Sequence, residues 1–395
     1  MVIWASIPIF LFGNLVYSNL MVRVLFFIPT FDKGGAENVL LNLVNNINHR
    51  QFNITVQTLF DFDSQKEFLH PSVRYKSFMR KPFIGNSRLM AYIPAEVLYK
   101  RIVKEKYDIV VSYLEGPTAH ILNGCPFPET KKVAWIHTAF DTDRRFYAGF
   151  RSKAKAVEAY KKYDRIVFVA QMAKESFWHI AGCEFPQSIV LYNTIESDKI
   201  AQYSNEYIDD VAYNQTEINI ISVGKIQPVK GYDRLARIHK RLKDDGINIH
   251  TYLLGAGEQQ SEIERYVQDN QLKTSFTFLG FKNNPYKYVA KADLFVCSSR
   301  REGFSTSVTE SLIVGTPVVS TRCSGMQELL GDNNEFGIIT ENDEDSLYYG
   351  IKKMLLTPGL LEHYKDKAKE RAEMFSTNKT VAAVEAMLSE LVKEN

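Results

Sequence analysis

The sequence predicts an α/β protein with two doubly wound domains, each built on a mostly parallel sheet with helices on both faces. Short apolar runs typical of buried strands alternate with amphipathic helical segments along the chain. With 395 residues, the chain exceeds one ordinary domain and suits two of roughly 200 residues or fewer. In such sheets, ligands bind at the carboxyl ends of the strands.

The composition is that of an ordinary soluble globular protein, with 45% hydrophobic and 24% charged residues. A net charge of +2 gives no argument for a nucleic-acid partner. The four cysteines, at positions 125, 183, 297 and 323, are scattered and form no Cys-x-x-Cys pair. We expect them to be reduced and buried in a cytoplasmic protein, with neither a disulfide framework nor a zinc site.

The first twenty-two residues carry no charged side chain, and three interpretations remain open. A cleaved signal peptide would need a basic start and a small-residue cleavage site, which are absent. A membrane-associating helix would be interrupted by Pro8, Asn14 and Asn19. The third interpretation is an upstream extension, with translation starting at Met21 directly before a complete strand. Residues 1–20 are therefore an apolar extension of uncertain status.

The first domain is predicted over residues 21–200. Its first strand, at 22–28, leads into Gly34 and Gly35 and then an amphipathic helix. The glycine pair either lets the backbone approach a ligand or simply begins the helix. It is not a Gly-x-Gly-x-x-Gly fingerprint, which disfavours a nicotinamide dehydrogenase. Further strands are predicted at 52–59, 107–113, 132–136, 165–169 and 188–191.

His137 follows the predicted strand at 132–136, where a histidine is either structural or a ligand-binding group. The stretch from Arg144 to Arg165 has eight basic and two acidic side chains with aromatic residues between them. It is either an amphipathic surface for an anionic membrane or a solvated helix face above an apolar underside. No nucleic-acid-binding module accompanies it, so we expect no nucleic-acid partner.

Polar residues 201–217 form the predicted linker to a second domain at 218–376, and residues 377–395 form a last helix. A strand at 218–223 leads into a loop with Gly224, Lys225 and Lys230, and a helix follows from about position 232. The lysines either neutralise phosphate as point charges or lie solvated on the surface. Gly257 and Phe281 follow later strands, at 250–254 and 276–280, in turns that carry a weak signal alone.

A strand at 293–297, a loop and a helix at about 306–314 form the most informative stretch. A junction of this kind suits phosphate, because free N–H groups and the helix dipole point at the ligand. Glu302 and Glu310 have seven residues between them. In one helix they would lie about 12 Å apart along the axis, too far for a glycosidase acid and base. They can instead accept hydrogen bonds from sugar and ribose hydroxyls. The structural alternatives are a solvated loop acid for Glu302 and a capping box between Ser307 and Glu310.

Together these features resemble the donor-site signature of the retaining GT4 glycosyltransferases of the bacterial surface-polysaccharide type. The resemblance comprises Glu302-x7-Glu310, Gly303-Phe304 after the first acid, Gly-Thr-Pro at 315–317 and Ser-Gly at 324–325 before Glu328. It extends over almost everything from Met21 onward and is highly specific over residues 224–330. It implies the GT-B fold, in which two Rossmann-like domains face each other across a cleft, with the acceptor on the first and the donor nucleotide on the second.

The resemblance also implies retaining transfer from a nucleotide-diphosphate sugar, expected to be a UDP-sugar, to a hydroxyl of a glycan or lipid-linked acceptor, without an essential metal. His137 would meet the donor sugar, Lys225 and Lys230 the diphosphate, Glu302 the sugar hydroxyls and Glu310 the ribose. Lys225 stands where the family usually has arginine. Further donor contacts would come from Gly34, Gly35, Gly224, Gly257, Phe281, Gly303, Phe304, Ser305 and Thr306.

Two alternatives share this fold: a non-catalytic subunit that binds nucleotide sugar, and a GT-B sugar-nucleotide epimerase. The acceptor cannot be read from the residues. The basic stretch and the family's use of lipid carriers favour an acceptor held at the inner face of the membrane, with the protein bound peripherally through Arg144 to Arg165.

Overall fold

A computed structural model describes residues 21–32, 34–61, 65–80, 86–140, 142–211, 213 and 216–393. Residues 1–20, with their three interpretations, lie outside the described residues, as does part of the predicted linker. The described residues form two α/β domains, each with its own parallel sheet. The predicted fold class is confirmed.

The sheet of the first domain has seven strands, all paired in parallel. They are β1 (Val22–Ile28), β2 (Phe52–Phe60), β3 (Arg74–Met79), β4 (Ile109–Ser112), β5 (Lys131–Ile136), β6 (Arg165–Phe168) and β7 (Ser188–Val190). Their order is β3-β2-β1-β4-β5-β6-β7, so the chain winds outward from β1 in both directions. The helices are α1 (Gly35–Asn46), α2 (Asn86–Tyr92), α3 (Ala95–Ile102), α4 (Pro117–Asn123), α5 (Asp143–Phe146), α6 (Lys153–Tyr160), α7 (Gln171–Ala181) and α8 (Ser197–Ser204).

The sheet of the second domain has six parallel strands. They are β8 (Ile218–Val223), β9 (Ile249–Leu254), β10 (Phe276–Gly280), β11 (Leu294–Cys297), β12 (Val318–Thr321) and β13 (Ile338–Thr340), in the order β10-β9-β8-β11-β12-β13. The helices are α9 (Tyr232–Asp244), α10 (Gln260–Asp269), α11 (Tyr286–Val289), α12 (Thr306–Ile313), α13 (Met326–Leu330), α14 (Glu344–Leu356), α15 (Leu360–Ala372) and α16 (Thr377–Lys393).

The central strands are buried on both faces, as near-continuous apolar runs in parallel sheets should be. Residues 24–28 of β1 and 109–112 of β4 are fully buried. The last helix, α16, lies against the first domain, where Glu385 accepts a hydrogen bond from the Asn48 backbone N–H at 2.7 Å. The chain therefore returns to the first domain after completing the second.

The four cysteines are all free. The prediction that all four are buried is wrong for Cys125 and Cys183, which are only half-buried at the edge of packed helices and loops, while Cys297 and Cys323 are buried. Among the residues that the structure describes, no helix combines the length and apolar character needed to cross a bilayer.

Candidate donor site in the interdomain cleft

The carboxyl ends of strands from both domains meet at one cleft. Gly303 lies in the loop after β11 of the second domain, and His137 directly follows β5 of the first. A Cβ atom added at position 303 would lie 3.1 Å from the His137 carbonyl oxygen. Glycine at this position therefore allows the β11 loop to approach the first domain closely.

A buried arginine holds the backbone of the β11 loop in place. Arg234, on α9, is 4% exposed. Its guanidinium donates to the carbonyl oxygens of Ser298 and Ser299, both at 2.7 Å, and to Oδ1 of Asn342 at 2.9 Å. Because guanidinium donors are fixed in one plane, this contact sets the course of the loop. Arg234 was not predicted as a site residue, because in the sequence it resembles an ordinary charged residue of a helix.

A second arginine fixes the loop from outside. Arg300 forms a two-pronged ion pair with Asp233, with both N–O distances at 2.7 Å. Burial acts to raise the pKa of Asp233, but hydrogen bonds from Arg300 and Arg237 outweigh it and lower the pKa to about 2. The pair therefore stays ionised at physiological pH. It joins the start of α9 to the loop that carries Glu302.

Glu302 and Lys230, predicted separately to bind donor, lie in contact. Lys230 Nζ is 2.7 Å from Glu302 Oε1, and their side chains are 25% and 10% exposed. The Ser299 hydroxyl donates to the same carboxylate oxygen. No residue in the described part of the chain bonds to Oε2 of Glu302. One carboxylate oxygen and the remaining ammonium hydrogens are thus available to a ligand.

The backbone at Gly231 presents Lys230 to the loop. Lys230 ends a 3-10 turn, and Gly231 follows with φ of 66°. A Cβ at position 231 would come within 2.1 Å of the Ser298 carbonyl oxygen, so only glycine fits. Lys225, by contrast, is exposed, and its ammonium group has no hydrogen bond or ion pair to any described residue. The structure brings together Lys230 and Glu302 but not Lys225.

Glu310 lines a cavity of about 550 Å³ between the domains, together with Gly35, Thr306 and Tyr286. Burial raises the pKa of Glu310 to about 8. The capping-box alternative for this residue is wrong. The N-cap of α12 is Ser305, whose hydroxyl accepts from the Val308 N–H, so Glu310 lies beyond the position that could bond back to the cap.

The opposite wall of the cavity is the start of α1. Its N-cap is Gly34, which has no side chain to bond the first N–H groups of this twelve-residue helix. An added Cβ at Gly34 would collide with Glu37 Oε2 at 2.1 Å, whereas one at Gly35 would meet nothing within 4 Å. A side chain at position 34 would therefore require the Glu37 carboxylate to move, and Gly35 leaves open space beside the helix N-terminus.

His137 is buried, and burial lowers the pKa of its imidazole to about 3. It is therefore neutral at physiological pH. Its backbone N–H donates to Glu115 at 3.1 Å. Its Nε2 atom is buried with no partner in the described part of the chain. Such an atom costs about 1–3 kcal/mol, so it indicates a position for a ligand or water.

Several predicted donor residues have a packing role. A Cβ at Gly257 would lie 2.2 Å from the Ile226 carbonyl oxygen, so this glycine lets two loops pack together. At Gly224, φ is 154° and an added Cβ would collide with Tyr232. The Phe304 ring is buried and stacks on Tyr192 of the first domain, with centroids 5.5 Å apart. Only the Phe304 backbone is left for a donor.

Phe281 is 76% exposed after β10. Its backbone lies two residues before Asn283, which lines the same cavity as Glu310. The exposed ring itself makes no contact that would fix a nucleotide base. The structure thus places the loop, and not the Phe281 side chain, beside the cavity.

The basic stretch has a partly different explanation from the predicted membrane surface. Its aromatic residues Phe146, Phe150 and Tyr160 are buried in the core of the first domain. These three residues form the apolar underside that the solvated-helix interpretation predicted, and they do not face solvent. Lys155 and Lys162 both pair with Glu158.

Exposed apolar side chains lie next to this stretch instead of within it. Leu89, Tyr92 and Val97, on α2 and α3, are 55%, 66% and 53% exposed. Arg151 joins the two segments by donating to the Tyr92 carbonyl at 2.7 Å. A cavity of about 370 Å³ lies between Tyr92 and Arg144. We call this combined surface the basic-apolar face.

Comparison with known proteins agrees with this architecture. Residues 204–371 match the family described as "Glycosyl transferases group 1", and residues 33–199 match "Glycosyltransferase Family 4". The chain is 38% identical over 370 residues to the N-acetylgalactosamine-N,N'-diacetylbacillosaminyl-diphospho-undecaprenol 4-alpha-N-acetylgalactosaminyltransferase of Campylobacter jejuni, covering 90% of this chain and 96% of that one.

Two solved structures share the fold at low identity. Anabaena Alr3699/HepE, crystallised with UDP, has a TM-score of 0.72 and 17% identity, covering 93% of this chain and all of that one. A glycosyltransferase from Rickettsia africae has a TM-score of 0.76 and 15% identity, covering 95% of this chain and all of that one. The two parallel-sheet domains, the cleft with Lys230 and Glu302, and the relative in Campylobacter lead to one conclusion: the chain belongs to the GT4-type glycosyltransferases of the GT-B fold, which use a nucleotide-sugar donor.

Proposed function

We propose that this protein transfers a sugar from a UDP-sugar to a hydroxyl of a lipid-linked glycan, with retention of anomeric configuration. The observation that carries the proposal is the Lys230–Glu302 contact at 2.7 Å in a cleft closed on its other side by His137. A cation that can hold a leaving diphosphate thus lies beside a carboxylate that can hold sugar hydroxyls.

In the proposed reaction the bond between the anomeric carbon and the diphosphate oxygen breaks, and the acceptor hydroxyl oxygen bonds to that carbon on the same face. The hydroxyl proton passes to the departing diphosphate. Lys230 and the N–H groups at the starts of α12 and α1 stabilise the charge that grows on phosphate. Lys225 is exposed and lies apart from the Lys230–Glu302 contact, so it is assigned no part in the reaction, and no metal is assigned one.

Retention without a protein nucleophile is supported by the state of the nearby carboxylates. Glu302 already accepts from Lys230 and Ser299. Glu115, beside His137, accepts the His137 N–H and the Thr138 hydroxyl on its two oxygens. Both carboxylates are therefore assigned to binding and orientation, and no side-chain nucleophile is assigned. Glu302 Oε2 would hold sugar hydroxyls, Glu310 the ribose and His137 Nε2 a hydroxyl of the transferred sugar.

A lipid-linked acceptor is supported by the Campylobacter relative, whose name specifies a diphospho-undecaprenol substrate. The basic-apolar face is chemically suited to an anionic bilayer, because apolar side chains can enter the interface while arginines meet phosphate. The relatives carry transferase names, so neither a non-catalytic subunit nor an epimerase is favoured.

The test is a thermal-shift screen of nucleotide sugars, followed by mass spectrometry and NMR of the product formed on a synthetic polyprenyl-diphosphate glycan. We expect UDP-sugars to stabilise the protein by mass action, and the product to keep the donor's anomeric configuration. Lys230→Met should lose transfer. A product of inverted configuration, stabilisation by a GDP-sugar alone, or an unchanged rate in Lys230→Met would overturn the proposal.

Binding of the basic-apolar face to a membrane is tested separately, with vesicles of phosphatidylglycerol and phosphatidylcholine. Arg144 and Lys161 are exposed and unpaired among the described residues, so Arg144→Glu/Lys161→Glu reverses charge without breaking an ion pair. The matched control, Arg265→Glu/Lys273→Glu, makes the same change on the second domain. We expect sedimentation with vesicles to fall only for the first pair. Equal binding by both pairs would remove the basic-apolar face from the proposal.

A further inference from the structure

A carboxylate of the second domain caps a helix of the first. Glu328 lies on α13, and its Oε1 accepts the backbone N–H of Gln171, the first residue of α7, at 2.5 Å. The Met172 N–H also bonds to this carboxylate. The contact joins residues 157 positions apart, across the cleft that holds the donor site.

Helix α7 has no cap of its own. Its N-cap residue is Ala170, which is extended and has no side-chain acceptor. The acid nearest the helix start within the first domain, Glu175, accepts from the Gln171 side chain instead. Without Glu328, the first N–H groups of this eleven-residue helix would therefore lack a partner among the residues that the structure describes. A carboxylate there also interacts favourably with the helix dipole.

The short helix that carries Glu328 is fixed to the donor loop. Gly325 begins α13 with φ of 77°, and an added Cβ would lie 3.0 Å from the Gly303 carbonyl oxygen and 3.1 Å from the Phe304 ring. At the other end, Arg371 donates to the carbonyl oxygens of Glu328 and Leu329. Helix α13 is therefore packed directly against the loop that carries Glu302.

On the first domain, α7 holds the segment that carries His137. The Ser176 hydroxyl, on α7, accepts the Phe140 N–H at 3.1 Å. Strand β5, which ends at Ile136, pairs with β6, which leads into α7. The capping contact thus continues on each side to a group of the proposed site: Glu302 on one domain and His137 on the other.

We propose that Glu328 is a positioning residue for sugar transfer. Through its cap on α7 it sets the separation of the two domains at which the donor sugar, bound mainly by the second, meets the acceptor on the first. The inference rests on the proposed function. Glu328 touches no reacting atom in this scheme, so it should affect the transfer step far more than donor binding.

The first test is Glu328→Ala, with Glu390→Ala as a control at an exposed, unpaired glutamate. We expect kcat to fall about 10- to 100-fold, while the Kd for UDP changes less than about threefold, because the donor groups lie mainly on the second domain. Distances between spin labels on the two domains, measured with UDP bound, should broaden in Glu328→Ala. Glu328→Gln, which keeps an acceptor oxygen, should recover part of the rate.

A backbone variant makes the test independent of changes at Glu328. Proline is tolerated at the first position of a helix, and Ala170 already has the extended conformation that proline prefers before it. Gln171→Pro therefore removes one of the two N–H groups that Glu328 accepts, since the Met172 N–H remains, and leaves α7 intact. Gln171→Ala, the control, loses the same side chain but keeps the N–H. We expect Gln171→Pro, and not Gln171→Ala, to reproduce part of the Glu328→Ala defect.

The outcomes separate this inference from the proposed function. Transfer at the parent rate by both Glu328→Ala and Gln171→Pro, or an unchanged label-to-label distance, overturns the positioning role while leaving the transferase intact. If the parent protein transfers no sugar, the proposed function fails, and the interdomain distances with UDP still decide whether Glu328 sets the closure.

Discussion

The pKa of Glu310 makes the strongest quantitative prediction. Burial raises it from 4.5 to about 8, so the folded protein holds a proton that the unfolded chain releases near pH 4.5. Stability should therefore fall as pH rises from about 4.5 to 8, and the loss should be complete above pH 8. At about 1.4 kcal/mol for each pH unit, the window gives at most ~5 kcal/mol. Because the cavity is open to water, we expect about 2–4 kcal/mol.

Glu310→Gln keeps the shape of the side chain and removes the charge. The variant should gain about 2–4 kcal/mol of stability over the parent at pH 9 relative to the difference at pH 4.5, where both folded side chains are neutral. Urea unfolding of the unliganded proteins measures this. Circular dichroism is the suitable probe, because the described tryptophans, Trp135 and Trp178, both lie in the first domain. Glu390→Gln, at an exposed glutamate, should follow the parent at every pH.

The affinity of the Glu310→Gln variant for UDP tests the proposed functional role of this residue. If Glu310 accepts ribose hydroxyls, Glu310→Gln should bind UDP about 10-fold more weakly even though its unliganded form is more stable, a trade-off expected of a binding residue. A stability difference that does not change between pH 4.5 and 9 would refute the reasoning about burial. Unchanged UDP affinity would refute the ribose assignment alone.

Three further predictions concern the loop after β11 and the residues that contact it. Glu302→Gln should lower kcat/KM about 10- to 150-fold, because it loses one hydrogen bond between charged groups; a rate within twofold of the parent would contradict its role. Lys230→Met should lower kcat about 100- to 1,000-fold with a small change in KM, measured in the same transfer assay, because the charge is needed mainly as diphosphate departs. Arg234→Met should destabilise the protein by about 2–4 kcal/mol in urea unfolding, since two buried carbonyl oxygens lose their donor. Arg265→Met, at an exposed arginine, should have no measurable effect.

The fold could be predicted from the sequence because buried parallel strands appear as short, continuous apolar runs. The strands at Val22–Ile28, Ile218–Val223 and Phe276–Gly280 were predicted with the bounds observed. The edge strand Arg74–Met79 was missed, since a half-exposed strand contains no continuous apolar run. The strand Ile338–Thr340 has only three residues, too few for any period to appear.

The candidate donor site rests on a different kind of sequence signal, and its residues remain a prediction. Glu302, Glu310 and Lys230 lie within short motifs whose spacing carries the signal. Arg234 and Glu328 act through contacts with backbone groups 64 and 157 positions away. No local pattern distinguishes such residues from solvated charges, because their role exists only once the helices are packed. In the basic stretch, the local pattern suggested an exposed amphipathic surface, but the aromatic residues pack into the core of the first domain.

The contact between Lys230 and Glu302 fits the proposed role of these two residues as donor-binding groups. An unpaired lysine beside a half-buried carboxylate would cost free energy. The pair at 2.7 Å uses one hydrogen-bonding position of each group and leaves the remaining positions free. Because Arg234 and Arg300 fix the loop, these free groups need little rearrangement when a diphosphate and a sugar arrive, which is the condition for strong electrostatic stabilisation of a leaving group. Through α13, which packs against Gly303 and Phe304, the same loop adjoins Glu328 and its contact with α7.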